Sequence, residues 1–128
     1  MNRERLLNAV RALRESPSPC NFNMALWAYR CGTPGCVMGH YAARPDLQSE
    51  FELGMFEHEL GPFILRRRES EPSAHRKPLQ PWDFAEHFDI TPDDASELFG
   101  SGGCDRATTP IEAAEYIERF VAAREAAP

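Results

Sequence analysis

The sequence predicts a mainly α fold, with α+β as the alternative: a compact bundle of about five short helices and one small β-hairpin. Three observations lead there. Apolar residues recur at helical spacing near both ends of the chain; the dipeptide Thr-Pro occurs where such spacing begins; and beyond residue 51 the apolar residues alternate instead.

Leu6, Leu7, Val10 and Leu13 share one face, while Arg3, Arg5, Arg11 and Glu15 fall mostly elsewhere. Residues 3–15 are therefore read as an amphipathic helix. It ends at Ser16-Pro17-Ser18-Pro19, because proline has no amide to donate and its ring clashes with the preceding turn. Phe22, Met24, Leu26, Trp27 and Tyr29 then suggest a short apolar element docked on the core. Thr33-Pro34, Thr91-Pro92 and Thr109-Pro110 each read as a helix start. The hydroxyl can accept from a first-turn amide, and proline at the first helical position gives up an amide that has no partner there. Asp94 and Glu112 follow their threonines by three residues, where the helix dipole favours a carboxylate, and Glu112 completes a capping box. Ile111, Ala114, Ile117, Phe120 and Val121 make the core-facing stripe of the last helix.

The middle of the chain follows another period. Phe51, Leu53 and Met55 alternate with Glu52 and Gly54, and Phe63-Ile64-Leu65 follows a Leu-Gly-Pro break, which predicts a hairpin over about residues 51–67. Arg66 to Pro81 has no apolar periodicity and is read as a mobile loop. No internal repeat or second composition divides the chain, so residues 1–128 are read as one domain.

At 128 residues such a domain buries roughly two-thirds of the surface its unfolded chain exposes, enough for a core without metal or disulfides. The net charge of −6 argues against a generic nucleic-acid binder, which must neutralise phosphates. No apolar run has the length of a membrane span, and the first residues interleave charge with Leu and Val. A cytoplasmic protein is expected, in which Cys20, Cys31, Cys36 and Cys104 default to free thiols.

The stretch with most chemistry is CGTPGCVMGH, residues 31–40. Cys31, Cys36 and His40 follow C-x4-C-x3-H, and the last two lie one helical turn apart. With Cys20 or Cys104 as a fourth ligand they could close a tetrahedral zinc site, although the spacing departs from the usual C-x2-C knuckle. Alternatively Cys36, three residues into a helix capped by Thr33, could be a thiolate nucleophile with His40 as its base. No third group to orient His40 is identifiable. The string Glu57-His58-Glu59-Leu60 lacks the second histidine of a zinc-protease helix, since Pro62 stands there. Gly100 to Cys104 reads as a helix C-cap and loop.

Residues 84–99 have the pattern of a helix-turn-helix, with Ala85, Ile90, Ala95 and Leu98 at its packing positions. Its second helix carries Asp93, Asp94 and Glu97, and residues 82–100 contain no Lys or Arg, which argues against DNA. Arg66, Arg67, Arg68, Arg76 and Lys77 form the opposite pole, a candidate partner-binding patch or a route to a homodimer.

Phe22-x-Met24-x-x-Trp27 followed by Cys31-Gly32-Thr33-x-x-Cys36-x-x-Gly39 resembles a group of short bacterial and phage-encoded proteins of unassigned function. The likeness extends to Ala95, Leu98, Phe99, Gly103-Cys104 and Thr109-Pro110, then Ala113, Ala114, Tyr116 and Ile117. It implies no activity, and its pattern also admits Trp where His40 stands. The motif residues Trp27, Cys31, Gly32, Thr33, Pro34, Cys36 and Gly39 are accordingly read as a structural joint from loop to helix. The expected function is a non-enzymatic protein-interaction module of a bacterial or phage accessory system, without cofactor. A small zinc protein and a Cys36-based thiol enzyme are the alternatives.

Overall fold

A computed structural model describes residues 1–16, 36–47, 50–54, 63–66, 79–100 and 107–126. The fold is mainly α. Helix α1 is Arg3–Arg14, α2 is Val37–Ala42, α3 is Ala85–Phe88, α4 is Pro92–Phe99 and α5 is Pro110–Ala126. Strands β1 (Phe51–Gly54) and β2 (Phe63–Arg66) pair antiparallel, Phe51 opposite Arg66 and Leu53 opposite Ile64. This is the hairpin that the alternating residues predict.

Helix α1 begins at Asn2, whose side chain accepts from the Arg5 amide at 3.0 Å. Its apolar stripe, Leu6, Ala9, Val10 and Leu13, packs along α5. The two helices run antiparallel, as Arg3 pairs with Glu125 near one end and Arg14 with Glu118 near the other. These pairs are exposed and screened, so the buried stripe contributes most of the attraction. Ala113, Ala114, Ile117, Phe120 and Val121 form the stripe of α5. Ile111, expected on that stripe, is 41% exposed; Pro110 and Ala113 occupy the buried side in its place. Ile111, six residues before Ile117, falls about 120° round the helix from it, whereas Pro110, seven residues before, falls within about 20° of the same face.

Both later Thr-Pro signals start helices. Thr91 accepts from the Asp94 amide at 3.1 Å, and Thr109 accepts from the Glu112 amide at 3.1 Å. The Glu112 carboxylate accepts from the hydroxyls of Thr108 (2.7 Å) and Thr109 (3.4 Å), so this helix start is tied by side chains of two successive threonines. Thr33-Pro34 lies outside the described residues; α2 begins at Val37 with Cys36, in extended backbone, as its N-cap residue, so Cys36 stands before this helix and not three residues into it. Every residue of α2 is buried, and a helix enclosed on all sides is held by packing more than by its caps.

A 3-10 turn, Pro81–Phe84, leads straight into α3. The chain then reverses at Asp89, which takes a left-handed conformation (φ 52°, ψ 52°) that aspartate tolerates better than most residues. This is the predicted helix pair, with Ala85, Ala95 and Leu98 buried in its seam and Ile90 half-buried. At its far end Gly100 is needed for close approach, because a Cβ there would fall 2.9 Å from Pro81 Cγ. Phe51, Phe84, Phe88 and Phe99 join the hairpin to this pair through edge and tilted contacts of 5.0–6.0 Å. Fully burying one such side chain contributes about 1.5–3 kcal/mol.

The stretch predicted as a loop, 66–81, has structured ends. Arg66 closes β2, the Leu79 amide donates to the Ile64 carbonyl at 2.9 Å, and Pro81 opens the 3-10 turn. Its remaining residues, 67–78, lie outside the described residues, as do the apolar element around Trp27 and the joint from Cys31 to Pro34. No helix among the described residues is long and apolar enough to cross a membrane.

Candidate functional site

The Cys36–His40 pair lies at the buried start of α2. Cys36 is 1% exposed and carries no disulfide. Burial pushes its thiol up to about 11, against a smaller opposite pull from the amides of Gly39 and Met38. A thiol so placed is protonated at neutral pH and closed to solvent, the reverse of a reactive cysteine. His40 reaches the backbone of Cys36, with Nδ1 2.8 Å from its carbonyl oxygen. A carbonyl only accepts, so Nδ1 carries the proton and Nε2 accepts from Ser16 Oγ at 3.1 Å. Both ring nitrogens thus have polar partners within the fold, and burial lowers the pKa of the ring. Among the described residues no three His, Cys, Asp or Glu side chains converge as metal ligands do. Cys20, Cys31 and Cys104 lie outside those residues.

A second histidine, which the sequence reading passed over, sits in a richer setting. His87 projects from α3 with its side chain fully buried, edge-on to Phe51 (4.9 Å) and Phe88 (4.8 Å). Its Nε2 is 2.8 Å from Tyr41 Oη of α2. Its Nδ1 is 3.3 Å from Arg5 Nη1 of α1 and 3.4 Å from Glu50 Oε1, just before β1. A guanidinium only donates, so Nδ1 accepts and Nε2–H donates to Tyr41. Burial, reinforced by the Arg5 charge and opposed by Glu50, brings the ring down to about 4. Burial likewise pushes Tyr41 up to about 12. Both groups are neutral at pH 7, joined by a hydrogen bond in the core.

Around this neutral pair stands a charged rim. Arg5 Nη1 donates to the His87 carbonyl at 2.9 Å, which fixes the guanidinium, and Arg5 Nη2 lies 3.6 Å from Glu50. Arg66, from the end of β2, reaches Glu50 Oε2 at 3.3 Å and lies over the Phe51 ring at 5.8 Å. The cluster draws on α1, α2, α3 and both strands. Its sequence signal was faint: Phe84, His87 and Phe88 share one helical face, and a histidine on an apolar face marks a buried imidazole that needs partners. Of the predicted basic patch, Arg66 is spent on this cluster, while Arg67, Arg68, Arg76 and Lys77 lie outside the described residues.

One apolar side chain faces the other way. Trp82 is 53% exposed on the 3-10 turn before α3. Its neighbours hold that turn firmly: Phe84 is buried, and the Asp83 carboxylate accepts from the Gln80 amide at 2.8 Å. Of the carboxylates on this helix pair, Asp94 pairs with Arg124 at 2.6 Å, whereas Glu86, Asp93 and Glu97 have no ion-pair partner among the described residues.

No protein-family model, curated protein or solved structure matches the chain.

Proposed function

We propose that the chain is a non-enzymatic protein-interaction module whose partner presents a basic segment to Trp82. The observation that carries this reading is the half-exposed indole on a braced turn. Exposed tryptophans are disproportionately the anchors of protein interfaces, where one rigid side chain removes a large apolar area from water. The surrounding helix pair selects the partner's charge. Residues 82–100 carry six acids and no Lys or Arg, and Arg or Lys side chains stack favourably on indole. The buried, protonated thiol of Cys36 supports a packing role for the residue-31–40 motif over a nucleophilic one. The bacterial or phage setting rests on the motif resemblance alone.

Selection from a random peptide display library tests the proposal. Enriched peptides are expected to carry net positive charge and to bind Trp82→Ala about tenfold or more weakly, the effect of losing one interface anchor. Because Trp82 is exposed, its replacement leaves the thermal midpoint nearly unchanged. Peptides that bind W82A equally well, peptides without positive charge, or failure to enrich any peptide would each overturn the reading. The chain's own basic run, residues 66–77, fits the same description, so a concentration-dependent dimer lost in W82A would identify the partner as a second copy.

A further inference from the structure

We infer that the basic segment received by the Trp82 surface belongs to a second copy of this chain: residues 67–77 of each copy dock on the Trp82 turn and the acidic helix pair α3–α4 of the other. This rests on the reading of Trp82 above and names its partner. Charge complementarity is the first support. Residues 82–100 hold six acids and no Lys or Arg, whereas residues 67–77 hold Arg67, Arg68, Arg76 and Lys77 against two acids, Glu69 and Glu71. Cations elsewhere are engaged: Arg3, Arg11, Arg14, Arg44 and Arg124 each meet a carboxylate within the fold. Glu86, Asp93 and Glu97 have no ion-pair partner among the described residues. A second copy therefore offers positive charge chiefly through this run, to carboxylates that lack it.

Placement is the second support. The chain leaves β2 after Arg66 and is back on it at Leu79, whose amide donates to the Ile64 carbonyl at 2.9 Å. Trp82 follows three residues later, on the braced turn. The twelve residues 67–78, which leave and return at one strand, span at most about 20 Å out from it. The indole is nevertheless 53% exposed in the single chain, so one copy does not cover its own Trp82. Run and turn stand side by side on one chain, which makes the face self-complementary. Across a two-fold axis each run meets the other copy's turn, and every contact is made twice.

Sedimentation velocity over a concentration series of the full chain, in low-salt buffer, tests this. Wild type is expected to dimerise reversibly and less tightly as salt is added. Trp82→Ala should raise the dissociation constant about a hundredfold, tenfold for each of the two anchors lost. A run variant, Arg67→Gln/Arg68→Gln/Arg76→Gln/Lys77→Gln, should weaken the dimer comparably; thermal melts verify that both variants fold. An equimolar mixture of the two should pair more tightly than either alone, because one intact run then meets one intact Trp82, and less tightly than wild type. The inference is overturned by a wild type that stays monomeric, by a dimer that W82A or the run variant leaves intact, or by a mixture no tighter than its components. A monomeric wild type that still binds basic peptides through Trp82 would remove the second copy as partner and leave the Trp82 reading standing. Peptides indifferent to Trp82 would remove both.

Discussion

His40 and His87 are each 4% exposed, each on a short helix in one core, and each hydrogen-bonded through both ring nitrogens. They differ in what surrounds them. His40 bonds a carbonyl one turn back on its own helix and a serine hydroxyl on the chain beyond α1, both neutral. His87 joins Tyr41, Arg5 and Glu50, contributed by three different parts of the fold, two of them charged. A histidine that satisfies itself locally is a packing element. One whose partners come from afar couples those elements and reports on charge at its rim.

The comparison breaks most visibly on truncation. His87→Ala leaves a cavity among Phe51, Phe88 and Tyr41 and strips the Tyr41 hydroxyl of its bond, so a loss of about 3–4 kcal/mol is expected in chemical denaturation. His40→Ala should lose about half as much. The Cys36 carbonyl still accepts the residue-40 amide at 3.0 Å, and Ser16 is only half-buried. Equal losses in the two variants would mean that volume alone matters and that the Tyr41–His87 bond contributes nothing.

Acid sharpens the same difference. The His87 ring, ordinarily at 6.5, is held at about 4 in the folded protein, first by burial and next by Arg5, with Glu50 opposing and Arg66 adding to Arg5. The unfolded chain then binds this proton across that interval and the folded chain does not. The resulting stability is whole above pH 6.5 and falls as pH drops towards about 4. His40 acts with the same sign. Glu15 and Asp46, lowered by Arg11 and Arg44 respectively, add their loss only below 4.5, so the histidines govern the range above. Denaturant midpoints between pH 7 and 4.5 should decline steeply in wild type and distinctly less in His87→Gln. Parallel curves would remove His87 as the source.

The sequence was legible where structure is decided locally. Thr91 and Thr109 lie beside the amides they cap, and Leu6, Val10 and Leu13 read as a stripe because three and four residues make a turn. It failed at α2: Cys36 is expected three residues into a helix, yet it stands as the N-cap residue before Val37, while Thr33-Pro34 lies outside the described residues. The alternation around Phe51 predicted the hairpin. Nothing local could bring Arg5, Tyr41, Glu50, Arg66 and His87 together. The close Cys36–His40 spacing drew the chemical reading, while the cluster spans 82 positions between Arg5 and His87.

The smallest change tests whether the tyrosine and histidine act as a unit. Tyr41→Phe keeps the ring against Phe51 (6.5 Å) and Phe88 (5.6 Å) and removes one oxygen. His87 Nε2–H then loses its acceptor in a buried place, while Arg5 still holds the opposite nitrogen and opposes a change of tautomer. The cost should be about 1–2 kcal/mol, within the range for an unsatisfied buried donor. In the His87→Ala background that donor is absent, so adding Tyr41→Phe should cost less than it does alone, with a coupling of about 1 kcal/mol. Additive losses would mean that the 2.8 Å contact contributes no net stability and that the two rings only pack. The site would then reduce to Arg5, Glu50 and Arg66 at the rim, with His87 as their floor.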